Sequence, residues 1–467
     1  MTSAPLNTLF AGQRFAVFGL GHNGLSAVRS LATYGAFIQT WDDKETARSA
    51  LSHSLSPQQK QHVFLAPFTT LEGFTALILS PGIPHHLPQP HPIAQHAQQA
   101  GIPILSDAEL LYRAVRAHGS QARFVGITGT NGKSTTTTLL AHILQQAGFP
   151  TAAGGNLGPA AISLPLLPDH GVYVLEMSSY MLERLESLHF NIACLLNLTP
   201  DHLDRHGDMA GYTYAKTQIF NHQTSQDLAI ISIDDPLCHR IAQSFFCKNV
   251  PCETISTINR KSTYFGTYSQ DQGTLWHNQI ALAHTGSTLP GIHNTQNALA
   301  AMAMARFIGV SDYVIAQALL SFPGLPHRQK HVATYHGITF IDDSKATNAD
   351  ATSRALECYD RIIWIAGGLA KENGITSLVP YFHRITHAFL IGKDAAILAK
   401  TLIKYDVPHT LVTTLENAVP LAYHTAQCTS TPIVLLSPAC ASFDQFTNFE
   451  ARGLRFQELV YNICQTT

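Results

Sequence analysis

Two glycine-rich turns, GLGHNG at 19–24 and GITGTNGKST at 126–135, each follow a short apolar run and precede a helix-periodic stretch. A strand that runs into a glycine turn and then a helix opens a βα unit, and repeated βα units settle as a parallel sheet with helices on its faces. The wiring recurs along the chain. Around the first turn, apolar runs at 15–18, 36–41 and 76–79 stop at Gly19, Asp42 and Ser80. Around the second, runs at 124–127, 172–175 and 192–196 stop at Thr128, Glu176 and Asn197. A third series, at 338–341, 362–366, 388–391 and 433–436, follows FPGLPHR at 322–328, whose two prolines mark a linker. At 467 residues the chain is long enough for two or three domains of roughly 150 residues. The expected class is α/β in three consecutive domains: a Rossmann-like domain at 1–118, a central P-loop-type domain at 119–325 and a C-terminal Rossmann-like domain at 326–467. The stretch 254–290 is polar and aperiodic and carries little signal, whereas 291–308 reads as a helix.

Charge and composition exclude several classes. Lys and Arg number 29 against 31 Asp and Glu, so no basic footprint for nucleic acid is present. No run of 18 apolar residues argues for membrane insertion, and a chain that is 45% hydrophobic and 13% charged is not disordered. The N-terminus lacks a basic segment followed by an apolar one, so no signal peptide and a cytoplasmic address are expected. Cysteines at 194, 238, 247, 252, 358, 428, 440 and 464 include no CxxC pair, which fits structural thiols in a reducing compartment.

The chemistry-bearing residues cluster where strands end. Gly19, Gly21 and Gly24 can bring a pyrophosphate to a helix N-terminus, with Asp42 at ribose-binding distance in sequence. The same spelling also serves as a tight turn in any doubly wound domain. The second loop is more specific. Backbone N–H groups of 129–132 converge on phosphate oxygens, Lys133 pairs with the β and γ phosphates, and the Ser134 hydroxyl suits magnesium. Its spelling departs from GxxxxGK[ST], because Ile127 stands where the first glycine belongs. Glu176, at the end of an apolar run, is placed like a nucleotide-metal ligand. NLTPDHLDRHG at 197–207 gathers Asp201, His202 and Asp204 ahead of a helix at 212–220 carrying Lys216. Taken singly, a strand-end Glu such as Glu176 is more often a solvated residue, His202 more often a hydrogen-bonded structural residue than a ligand, and Lys216 far more often a surface charge. In the third series DDSKATN at 342–348, Lys371 after AGGLA, and SPACAS at 437–442 lie at strand ends, a setting for a small anion or for ordinary loops.

GTNGKST, EMSSYMLE at 176–183, NLTPDHLDRH, GIHNTQNALA, GLPHR, DDSKATN, SPACASFDQF and NFEARG together make the chain resemble the Mur ligase family of peptidoglycan-precursor enzymes, most closely its D-glutamate-adding branch, from Gly19 to Gly453. The altered phosphate-loop spelling is itself that family's form. The resemblance implies that ATP phosphorylates the terminal carboxylate of UDP-N-acetylmuramoyl-L-alanine and that glutamate attacks the acyl phosphate. It implies ATP contacts at Gly129, Thr130, Asn131, Gly132, Lys133, Ser134 and Thr135, with Asn297 on adenine and Arg328 and Asp343 reaching the nucleotide. Lys133, Glu176, His202 and a carbamylated Lys216 form the catalytic set, and Ser134, Glu176, His202 and Lys216 would ligate Mg2+ at two sites. The UDP substrate would meet Gly21, His22, Asn23, Asp42, Asp43, Ser80, Gly82 and Asn156; glutamate would meet Lys345, Thr347, Lys371, Ser442, Phe443 and Phe449.

These readings imply a monomer with small-molecule substrates and no nucleic-acid or membrane partner. Phosphate, acyl carbon and amine must come within about 3 to 3.5 Å, so a hinge at 322–328 is expected to close the third domain over ATP. Glutamate configuration is open, since an L-glutamate-adding variant looks similar. A folylpolyglutamate synthase-like ligase shares the phosphate loop but lacks the GLGHNGLS unit, and an NAD-dependent dehydrogenase would not continue into a second phosphate loop.

Overall fold

Runs that are apolar at every position, rather than at alternate ones, make strands buried on both faces. The computed structural model of the chain places those runs at the centres of three sheets. It describes residues 5–465 except 246–247, 258–267, 272–273, 278–279, 287 and 372–373. By packing they divide into two compact units, 1–285 with 294–321, and 286–293 with 322–467.

The first unit holds two sheets. One is a five-stranded parallel sheet in the order Val63–Leu65, Phe37–Trp41, Arg14–Phe18, Ala76–Leu79, Ile104–Leu105. Successive strands run outward from Arg14–Phe18 in one direction and then the other, so the order reverses between Arg14–Phe18 and Ala76–Leu79. The loops leaving those two strands flank the crevice where a doubly wound sheet binds its ligand. The other sheet has nine strands, with Arg123–Thr128 paired in parallel to Val172–Glu176 on one side and Ile192–Leu195 on the other. It continues through Leu228–Ser232 and Cys252–Ile255 into an antiparallel ribbon, Tyr268–Asp271, Thr274–His277 and Ile280–His284. That ribbon occupies the stretch that carried little sequence signal; 258–267, 272–273, 278–279 and 287 of it lie outside the described residues.

The second unit is one six-stranded sheet, Lys330–Tyr335, Ile338–Asp342, Ile433–Leu436, Ile362–Gly367, Ile385–Ile391 and His409–Thr413, parallel except for the first pair. Its largest buried side chain, Trp364, donates its indole N–H to the Ser437 carbonyl at 2.8 Å.

Expected strands shift by a residue or two at their ends, and the helix after the second glycine loop is longer than its apolar period. It spans Lys133–Gln146 because Thr136 and Thr137 are fully buried and the Thr136 and Thr138 hydroxyls bond the carbonyls of Gly132 and Ser134. Tertiary packing here overrides the weak helix propensity of four consecutive threonines. Among the described residues no helix is long and apolar enough to cross a membrane. The described cysteines are free thiols; Cys247 lies outside the described residues.

Candidate active site

The phosphate loop is fastened from below. Asn197, at the tip of the neighbouring strand, accepts from the Asn131 N–H at 2.8 Å and donates to the Asn131 carbonyl at 3.2 Å. Its own carbonyl accepts from Thr130 N–H at 2.9 Å, and the Thr130 hydroxyl exchanges bonds with Thr199. The loop conformation is thus held by bonds from the protein itself, as an anion cradle at a helix N-terminus requires. Gly132 caps that helix at φ +86°, and a Cβ on it would come within 2.3 Å of Asn297 Oδ1. Asn297 is itself buried, accepting from the Thr136 hydroxyl and donating to Asn294. The structure therefore places this expected adenine contact directly behind the loop.

Two lysines meet at the loop. Lys133 Nζ donates to the carbonyls of Gly129 and Thr130 at 2.9 and 2.8 Å. Lys216 Nζ donates to the same Gly129 carbonyl at 2.9 Å and to Thr128 Oγ1 at 3.3 Å. Lys216 is not a surface charge: it is 1% exposed. Burial, and then the nearby Lys133, hold its amine well below the ordinary lysine range. Glu176 lies at the end of Val172–Glu176, 2% exposed; Oε1 accepts from Asn156 Nδ2 at 2.8 Å while Oε2 is buried with no protein partner. Asn156 is thus drawn to Glu176. His202 sits at φ +53°, half exposed, 3.5 Å from Asp201, and partial burial lowers its pKa. Ser134 is buried in the first turn of the loop helix, and Thr135 follows it there. Among the described residues no three His, Cys, Asp or Glu side chains converge into a metal cage.

At the crevice of the first sheet, Gly21 caps the helix His22–Thr33 and Asn23 lines a small cavity with Ser80, Asp107, Tyr180 and Arg184. Gly24 must be glycine, since a Cβ there would lie 1.8 Å from the Gly19 carbonyl oxygen. The Asp42 carboxylate is taken up by the loop itself, accepting from the N–H groups of Leu20 at 2.6 Å and Lys44 at 2.8 Å. Asp43 is exposed, 3.8 Å from His91. Ser80 donates to the Gly19 carbonyl at 3.0 Å, and the Gly82 carbonyl accepts from Arg205 at 3.3 Å.

In the second unit three strand tips are pinned by one residue that sequence reasoning missed. Arg452, 1% exposed, donates to Ser344 Oγ and O, to the Gly367 carbonyl and to the Cys440 carbonyl. It lies inside NFEARG, but only its burial among distant loops reveals the role. Backbone pairing of Leu369 with Ala441 joins the loop of Lys371 to that of Ser442. Lys345 Nζ stands 4.9 Å from the Phe449 ring centroid, with the Thr347 N–H on the Lys345 carbonyl. Ser442 is buried, whereas Lys371 and Phe443 are exposed. Asp343 accepts from Ser437 Oγ at 2.7 Å and the Gln329 N–H at 3.1 Å. Burial pushes its carboxyl up to about 7, against those bonds and the nearby Arg328.

Family models described as Mur ligase MurD-like N-terminal domain, Mur ligase middle domain, and Mur ligase glutamate ligase domain match residues 13–106, 127–305 and 327–440. The chain is 48% identical over 464 residues to the UDP-N-acetylmuramoylalanine--D-glutamate ligase of Paramagnetospirillum magneticum, covering 98% of each chain. It is 46% identical over 467 residues to that of Rhodospirillum rubrum, covering 98% of this chain and 96% of the relative. Among solved structures, the UDP-N-acetylmuramate-alanine ligase MurC of Thermotoga maritima matches with a TM-score of 0.60 at 17% identity, covering 97% of this chain and all 100% of that one. A MurF ligase of Thermotoga maritima in complex with ADP matches at 0.58 and 15%, covering 97% and 99%. Likeness at those identities speaks for the fold alone, but the family models and the relatives together cover the chain: it belongs to the Mur ligase family.

Proposed function

We propose that the chain is an ATP-dependent ligase that joins D-glutamate to UDP-N-acetylmuramoyl-L-alanine in peptidoglycan-precursor synthesis. The observation that carries the reading is the phosphate loop held by Asn197, with the unpartnered Glu176 oxygen at the end of the strand paired to the loop's own, in a chain whose relatives bearing that ligase's name are 40–48% identical over nearly its full length. A carboxylate is a poor electrophile. Transfer of the γ-phosphoryl group onto the alanyl carboxylate gives an acyl phosphate, and the glutamate amine then expels orthophosphate as the amide forms. The loop N–H groups and Lys133 hold the triphosphate and neutralise its charge, and the strand tips pinned by Arg452 present glutamate.

The residues fit magnesium in that Ser134 offers a hydroxyl oxygen and Glu176 has a buried oxygen without a protein partner. Ser134, Glu176, His202 and carbamylated Lys216 would hold the metal, which when bound offsets phosphate charge. The depressed basicity of Lys216 favours carbamylation, because only a neutral amine attacks carbon dioxide. The domain borders at 118/119 and 325/326, UDP at the first-sheet crevice, cytoplasmic work and a monomeric state belong to the same proposal. Incubation with ATP, magnesium, UDP-N-acetylmuramoyl-L-alanine and each glutamate enantiomer, followed by product mass and chiral analysis, tests it. D-glutamate should be incorporated; exclusive use of L-glutamate, or no adduct, would contradict it.

A further inference from the structure

Two arginines of the central sheet's loops converge on one turn of the first sheet. Arg184 follows the short helix Ser179–Leu182, eight residues beyond Glu176, and is 3% exposed. Its guanidinium donates to the Leu79 carbonyl at 2.6 Å, the Ile83 carbonyl at 2.9 Å and, more weakly, the Ser80 carbonyl at 3.4 Å. The remaining direction is closed by His85 Nδ1, at 3.2 Å from Nη2. Burial and the adjacent guanidinium lower the pKa of His85 to about 3, so its ring is neutral and accepts. Arg205, three residues beyond His202, adds a bond to the Gly82 carbonyl while resting on the Tyr180 ring. The Arg184 carbonyl in turn accepts from the Ser106 N–H.

The turn so gripped is the one that follows Ala76–Leu79, on one lip of the first-sheet crevice, and its Ser80 hydroxyl reaches across to the Gly19 carbonyl on the other lip. A buried cation costs stability unless every donor is used. Here its donors go to backbone carbonyls and one imidazole of a single short segment, 79–85, an arrangement suited to fixing that segment's position. A planar fork can span several carbonyls where an ammonium cannot.

We propose that Arg184 is a positioning residue for the UDP-linked substrate: it ties the 80–83 turn to the strand-end loops behind the phosphate loop, so that a ligand held at the first-sheet crevice lies at a fixed distance from the nucleotide. The proposal rests on the function proposed above. It makes Arg184 matter for one substrate out of three.

The test is steady-state kinetics of the full chain, each substrate varied in turn, for wild type, Arg184→Lys, Arg184→Met and Arg205→Gln, with hydrogen exchange of the segment 79–86. The Arg184 variants are expected to raise the KM for UDP-N-acetylmuramoyl-L-alanine about tenfold or more, with KM for ATP and glutamate changed less than about twofold and faster exchange confined to 79–86. Arg205→Gln should act in the same direction more weakly, and covers the case in which the Arg184→Met protein fails to fold. A purely structural role would lower kcat through lost active protein with all three KM values unchanged, and that result would overturn the proposal. An equal rise in all three KM values would overturn it too. Wild-type protein silent with all three substrates would end the function reading and this proposal together, whereas wild-type turnover with an unmoved UDP-sugar KM in the variants ends this proposal alone.

Discussion

Asp343 shows how far a single side chain's setting governs what it can do. Its carboxyl, buried with Ser437 and Gln329 as donors, is raised from 3.8 to about 7. A folded pKa above the unfolded one means that the native state holds more protons between those values, so stability falls as pH rises through the window from about 4 to 7. Arg328 opposes the shift and Asp342 adds to it. Removing the charge with Asp343→Asn should leave the melting temperature near wild type below about pH 4 and raise it at pH 8, by at most about 4 kcal/mol of stability from the size of the shift. An unchanged gap across pH 4–8 in thermal melts would contradict this. For Lys216→Ala, turnover should fall about 10² to 10³-fold, the usual cost of losing a preorganised charge partner, with partial recovery on adding a short carboxylic acid. Wild-type turnover in that variant would remove the carbamate from the mechanism. Lys133 and Glu176 were legible in the sequence because one stands in a phosphate-loop motif and the other at a strand end, whereas Lys216, on the helix Met209–Thr217, reads singly as a surface charge and enters the site only through the family resemblance. Arg184 and Arg452 were not, since a buried arginine takes its meaning from carbonyls contributed by loops far away in sequence.

At the scale of elements, apolar runs that end in glycine or a polar or acidic residue mapped onto the central strands because burial on both faces leaves little room for polar residues. The ribbon from Tyr268 to His284 stayed hidden: its strands are four or five residues long, partly exposed and mixed in polarity, so neither period emerges. Edge strands such as Val63–Leu65 and Ile104–Leu105 were missed for the same reason of length. The loop-helix junction is the element on which nucleotide binding turns. Gly132→Ala puts a Cβ at positive φ and within 2.3 Å of Asn297 Oδ1, strain of about 1–2 kcal/mol before the clash is counted. Calorimetric titration should show ATP affinity reduced at least tenfold with UDP-sugar affinity retained. Equal ATP affinity in variant and wild type would show that the loop tolerates a conformation the packing forbids.

For the whole molecule, the chemistry requires three substrates to meet although the residues implied for glutamate lie in the second compact unit and those for ATP phosphates in the first. Small-angle scattering should therefore give a smaller radius of gyration when ATP analogue, UDP-sugar and glutamate are all present, and a ligand-independent profile would count against closure about 322–328. The central claim is narrower: an oxygen of the alanyl carboxylate attacks the γ-phosphorus and leaves with it. With both carboxylate oxygens of UDP-N-acetylmuramoyl-L-alanine labelled as ¹⁸O, one label is predicted in each orthophosphate released during D-glutamate addition. Orthophosphate free of label, with product still forming, would contradict the account.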